Sequence, residues 1–214
     1  MEAAIFDLDG TLLDSTGVWS RIDTEFLERR GIRPDAEYLG ALSGLTTFEE
    51  AAEYTITRFR LADTVSALLD EWNEMAVRAY THGVAAKGGA RQYLETLKAG
   101  GIKTAIATAA PPVLYQGALR NLDLERYFDA ICSTAEAGEG KNSPAVFHLA
   151  ARKLNAAAER CVVFEDSLAA IQSAKTAGMK VVAVLDDASR DAWDRIRRIA
   201  DLTIRDFTDP ALYR

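Results

Sequence analysis

The sequence predicts an α/β fold: a Rossmann-like parallel sheet core with helices on both faces and an inserted α-helical cap domain. Three observations predict it. From Lys87 onward, short apolar runs of strand character alternate with stretches of helical spacing, the rhythm of a parallel sheet covered by helices. The opening run "AAIFD" has the same apolar character and would join that sheet as a further strand. Residues 15–82, between the two, hold no clear strand, so the expected division is a core domain of residues 1–14 and 83–214 and a helical cap of residues 15–82.

Behind the first strand, "VWSRIDTEFLERRG" places Val18, Ile22, Phe26 and Leu27 on one stripe, while Arg21, Glu25, Glu28 and Arg29 can face water. Gly31 is suited to end that helix. "TFEEAAEYTITRF" and "DTVSALLDEWNEMAVRAY" supply the next helices, and the chain would cross between domains at Asp14–Thr16 and His82–Lys87. In the core, the strand "GIKTAIAT" leads to a helix ending near Asn121, and "FDAICS" to the helix around "PAVFHLAARKL". "CVVFED" is followed by "SLAAIQSAKTAG", and "KVVAVLD" by a helix near "DAWDRIRRIA" and the last strand, "DLTI". There is no internal repeat.

Composition narrows the function. A net charge of -7 argues against a general nucleic-acid binder or an anionic membrane surface, both of which favour basic patches. A small anionic substrate would then need local compensation from a lysine or a metal ion. Cys132 and Cys161 are too few and too far apart for a disulfide framework or a zinc site, and are expected to be buried thiols in a reducing compartment. With no signal-peptide pattern and no apolar span of membrane length, a soluble, cytoplasmic monomer is expected.

In open parallel sheets the ligand crevice lies at the carboxyl ends of the strands, so what stands there bears on function. The first strand ends in Asp7 and Asp9, "TAIAT" ends in Thr108, and "CVVFED" ends in Glu165 and Asp166. Lys141 lies in the loop "AGEGKNSP", before a helix that Ser143 would cap with Pro144 at its first position. Taken singly each feature has an ordinary reading: Asp9-Gly10-Thr11 suits a turn, Lys141 a solvated loop, and "EDS" a helix cap. Jointly they ask for four coincidences in register.

"DLDGT", a threonine ending the next hydrophobic strand, a loop lysine, and "FEDS" after a later strand resemble, in order, the four motifs of the haloacid dehalogenase-like phosphohydrolases. The resemblance runs from Ile5 to about Leu185, and the position of the helical insertion is similar to that of the β-phosphoglucomutase-like and phosphoglycolate-phosphatase-like branch. It implies a Mg²⁺-dependent phosphatase acting on a small phosphorylated metabolite such as a sugar phosphate. Asp7 would be the nucleophile, forming an aspartyl-phosphate, and Asp9 the general acid and base. Gly10 would let the chain turn sharply between them and the residues that follow. Asp7, the Asp9 carbonyl and Asp166 resemble the Mg²⁺ ligands, with Glu165 a further candidate. Thr108 and the Ala109 amide would bind the phosphoryl group, and Lys141 would supply fixed positive charge to it and to Asp7.

Two departures from the family pattern bear on the site. The lysine is followed by "NSPAVF" rather than Pro-x-Pro, and after Thr108 the chain has "AAPP", where Ala109 and Ala110 can offer only main-chain groups. "LSGLTT", Leu42–Thr47, stands where the mutases carry a specificity loop, but lacks the arginine that holds a second phosphate there. Hydrolysis therefore leads, a β-phosphoglucomutase-like phosphomutase is the alternative, and a non-catalytic binding protein comes last. His82, His148, Trp19, Trp72 and Trp193 are expected to be structural or solvated.

Overall fold

The computed structural model describes residues 1–42 and 48–213. Tertiary contacts group them into two compact units, Met1–Thr16 with Val84–Arg214, and Gly17–Gly83. In the first unit six strands form one sheet: β1 (Ala3–Phe6), β4 (Lys103–Thr108), β5 (Ala130–Ser133), β6 (Cys161–Glu165), β7 (Lys180–Val184) and β8 (Leu202–Ile204). Their order is β5-β4-β1-β6-β7-β8, and every pairing is parallel. β1 sits centrally, with Ile5 opposite Ala105 on one side and Val163 on the other. The strand order reverses there, which opens a crevice at the carboxyl ends.

Parallel neighbours need crossover connections. They are α5 (Ala90–Ala99), α6 (Pro112–Asn121), the short α7 (Thr134–Ala137), α8 (Ala145–Lys153), α9 (Leu168–Thr176) and α10 (Trp193–Ile199). Ile5, Ala105 and Val163 belong to one buried cluster with Val146 and Phe147 of α8 and Ile171 of α9. The alternate residues form a second, aromatic layer: Phe6 stacks on Phe164 with centroids 4.5 Å apart and meets Tyr93 of α5 edge-on. Burial on both faces explains why these strands read as unbroken apolar runs rather than alternating ones. Cys132 and Cys161 are free and buried within this core.

The second unit holds α1 (Val18–Glu28), α2 (Ala36–Leu42), α3 (Phe48–Phe59) and α4 (Val65–His82). α1 buries Val18, Ile22, Phe26 and Leu27, the stripe expected from its spacing. α4 buries Leu68, Trp72 and Met75 among others, and Trp72 meets Phe26 edge-on at 5.9 Å. Gly31 follows α1 with φ +73, and Ile32 closes the turn by donating to the Leu27 carbonyl. No helix among the described residues is long and apolar enough to cross a membrane.

Several local features differ from the sequence reading. α2 goes unrecognised in "AEYLGAL" because it is short and interrupted by Gly40, yet it buries Tyr38, whose hydroxyl is 2.9 Å from Thr55 Oγ1. β2 (Leu13–Asp14) pairs antiparallel with β3 (Ala85–Ala86), a ladder too short to leave a period in the sequence. In "DAWDRIRRIA" the α-helix begins only at Trp193, after a 3-10 turn over Asp187–Ala192. Ser143 accepts from the Ala145 amide at 3.3 Å, and Pro144 stands one position before the helix rather than inside it. Of the "LSGLTT" loop, residues 43–47 lie outside the described residues.

Candidate active site

The first strand does not stop at Phe6: the Asp7 amide still donates to the Phe164 carbonyl, so Asp7 is the last residue held by the sheet. The chain then turns tightly, with the Leu8 carbonyl accepting from the amides of Thr11, Leu12 and Leu13. Gly10 makes that turn with φ +83, and a Cβ there would lie 2.8 Å from Asp166 Oδ2. Glycine is therefore needed twice over, for the left-handed backbone and for the approach of Asp166. Thr11 Oγ1 donates to Asp166 Oδ1 at 3.2 Å, and Ser15 Oγ to Asp9 Oδ1 at 2.7 Å. Neither hydroxyl was singled out from the sequence; their places just past the "DLDG" turn are the signal that could have found them.

Asp7, Glu165 and Asp166 converge, each offering an oxygen within 4.8 Å of the others, and all three are buried. Lys141 reaches them from the loop before α8, donating to Glu165 Oε2 at 2.7 Å and forming an ion pair with Asp7. Glu165 Oε1 in turn accepts the amides of Asp166 and Ser167 at 3.1 and 3.0 Å, so both of its oxygens are engaged. Asp166 receives only the Thr11 hydroxyl among the described residues. Thr108, fully buried at the end of β4, accepts the Ala110 amide at 2.9 Å, which leaves its own hydroxyl hydrogen to donate elsewhere. The geometry thus brings together Asp7, Glu165, Asp166 and Lys141, while Asp9 and Thr108 stand at the ends of β1 and β4 with the hydroxyl contacts described.

Charge is unbalanced in this cluster. Burial, reinforced by Glu165, pushes the Asp7 carboxyl up to about 7 despite the opposing pull of Lys141. Burial, with Glu165 and Asp7 adding to it, pushes Asp166 up to about 9. Burial also opposes the charge on Lys141, but Asp7 and Glu165 outweigh it and hold the ammonium above the ordinary lysine value. Three buried acids share one lysine, so the repulsion between them is relieved by protons held on Asp166 and Asp7, which a bound cation would displace. Hard oxygen donors, one of them without a cationic partner, are what Mg²⁺ requires, so the residues present fit that ion.

The chain matches known proteins over most of its length. Residues 4–184 match the family model described as haloacid dehalogenase-like hydrolase. A phosphorylated carbohydrates phosphatase of Thermotoga maritima is 31% identical over 180 residues, 84% of this chain and 83% of that protein. A fructose-1-phosphate phosphatase of Escherichia coli is 30% identical over 182 residues, covering 84% of this chain and 94% of that one. Among solved structures, a Thermotoga maritima protein assigned as a β-phosphoglucomutase has a TM-score of 0.85 at 28% identity, covering 95% of this chain and 94% of its own. CbbY from Rhodobacter sphaeroides, solved in complex with phosphate, has a TM-score of 0.75 at 26% identity, over 98% and 96%.

Proposed function

The chain belongs to the haloacid dehalogenase-like hydrolases, and within that family we propose that it is a Mg²⁺-dependent phosphatase of a small phosphorylated metabolite, in the first place a sugar phosphate. The observation that carries this reading is the buried set Asp7, Glu165, Asp166 and Lys141, in which a nucleophilic carboxylate is held by a lysine beside an acid with no cationic partner. The names of the similar phosphatases support the substrate class.

An Asp7 carboxylate oxygen attacks phosphorus, the bond from phosphorus to the leaving oxygen breaks, and an aspartyl-phosphate forms on Asp7. Asp9 gives its proton to the leaving oxygen, then takes one from the water that attacks the same phosphorus and frees phosphate and Asp7. The Thr108 hydroxyl and the Ala109 amide donate to the phosphoryl oxygens. Lys141, kept charged by Asp7 and Glu165, faces the charge that builds up during transfer, and Glu165 fixes the direction of its ammonium. Asp7, the Asp9 carbonyl and Asp166 would hold Mg²⁺, with Glu165 a further candidate ligand. When bound, the ion supplies positive charge to the phosphoryl oxygens and to the clustered acids.

The test is phosphate release from a panel of sugar phosphates and from p-nitrophenyl phosphate, with Mg²⁺ and with chelator. Turnover that depends on the metal is expected, and folded protein that releases phosphate from none of them would sink the reading. Incubation with β-glucose 1-phosphate and a bisphosphate activator separates the mutase alternative: glucose 6-phosphate as product would replace hydrolysis by mutase chemistry.

A further inference from the structure

The chain leaves the sheet-bearing unit after Thr16 and re-enters it at Val84. The departing and returning segments are joined by the two-residue ladder of β2 and β3, extended by the Lys87 amide donating to the Leu12 carbonyl at 2.8 Å. One carboxylate from elsewhere in the sheet holds both. Asp186, two residues past β7, accepts the Thr16 hydroxyl on Oδ1 and the Lys87 ammonium on Oδ2, the latter at 2.7 Å. Oδ1 also takes the Ala188 amide at 3.0 Å, and Lys87 approaches the Leu185 carbonyl at 3.4 Å.

The ion pair is buried, with 1% of the Asp186 side chain and 13% of that of Lys87 exposed. Burial works against the Asp186 charge, but Lys87, Thr16 and the Ala188 amide outweigh it and hold the carboxyl below the usual range. A buried ion pair adds little net stability over apolar residues of the same size, because desolvation offsets the attraction. What it does supply is a single geometry. Here that geometry has a neighbour in the chemistry: Ser15, next to Thr16, is the residue whose hydroxyl donates to Asp9.

We propose that Asp186, with Lys87 as its counter-charge, is a positioning residue: it clamps the departing and returning segments to the sheet and so keeps Ser15 and the Asp9 carboxyl in place for proton transfer. The proposal rests on the phosphatase reading, in which Asp9 protonates the leaving group. Its signature is a dependence on the leaving group, since a sugar alkoxide needs that proton and p-nitrophenolate does not.

The experiment measures kcat/KM, which reports steps through departure of the leaving group, for a sugar phosphate and for p-nitrophenyl phosphate. Asp186→Asn is expected to lower the first about tenfold or more and to leave the second within about threefold. Lys87→Met should do the same and Lys87→Arg should restore the ratio. Hydrogen exchange in Asp186→Asn should quicken by about tenfold at residues 13–16 and 84–87 and stay unchanged in β1 and β6. Parallel losses on both substrates, no loss on either, or unchanged exchange in those segments would each overturn the clamp. If Asp186→Asn does not fold, Lys87→Met/Asp186→Leu removes both charges together and leaves none buried alone, and the same outcomes apply. If the wild-type protein hydrolyses neither ester, the phosphatase reading fails, and the clamp is judged by the exchange rates.

Discussion

In the helical unit Arg30 is met on every side: Nη2 reaches Asp63 Oδ1 at 2.8 Å and Glu71 Oε2 at 2.7 Å, Nη1 reaches the Phe26 carbonyl at 3.2 Å, and the guanidinium lies over the Phe26 ring. In the sheet unit Asp166, more deeply buried, has one hydroxyl for company and two further carboxylates beside it. The first arrangement neutralises charge and ties α1 to α4. The second crowds three acids around one ammonium, so that in the metal-free protein protons relieve the repulsion and a bound cation would be needed to hold all three charged. The molecule thus uses polar groups for structure in the one unit and holds them ready for chemistry in the other, at a cost to its own stability.

The largest test of that contrast is Asp7→Asn. Hydrolysis is expected to fall by about 10³-fold or more with the circular dichroism spectrum unchanged, because the variant keeps the shape of the site and loses the nucleophile. Activity equal to wild type would remove Asp7 from that role.

Asp166→Asn should weaken Mg²⁺ binding by about 100-fold, as read by calorimetry, while raising the melting temperature of the metal-free protein by about 4 °C or more. The sign follows from the raised carboxyls: between the ordinary value of 3.8 and about 9 the native metal-free protein keeps a proton on Asp166 that the unfolded chain has released. Asp7 behaves alike up to about 7. Metal-free stability should therefore fall as pH rises through this window, and Asp166→Asn should flatten the fall. Saturating Mg²⁺ should reverse it. A metal-free melting temperature that rises steadily from pH 5 to pH 8 would contradict the charge imbalance described.

The smallest effect should come from the helical unit. Arg30→Met is expected to cost about 1–3 kcal/mol, between an exposed pair and a fully buried one, since its side chain is 24% exposed. Hydrolysis of p-nitrophenyl phosphate per folded molecule should stay within about twofold of wild type. A loss of activity as large as that of Asp7→Asn would erase the distinction between the two units.

How much of this was legible in the sequence depends on whether a feature is local. A parallel strand buried on both faces must run apolar to its end, so the first polar residue after each run marks the carboxyl edge; Asp7, Thr108, Glu165 and Asp166 were found that way. The α1 stripe was legible for the same reason, since helical period and burial coincide. Lys141 could be named as a loop lysine, but its partners lie 134 and 24 positions away and become neighbours only because the sheet order sets β1 beside β6. From the sequence, Asp166 resembles a metal ligand and Glu165 is a further candidate, with nothing to say how their contacts differ. Tertiary structure separated them, turning Glu165 toward Lys141 and two amides and leaving Asp166 to Thr11, 155 positions earlier. The clamp of Thr16, Lys87 and Asp186 was wholly invisible, because contacts that span 170 and 99 positions leave no period or composition behind. Periodicity reports which face of an element is buried; which charges meet across the carboxyl edge is decided by strand order, and that exists only once the chain has folded.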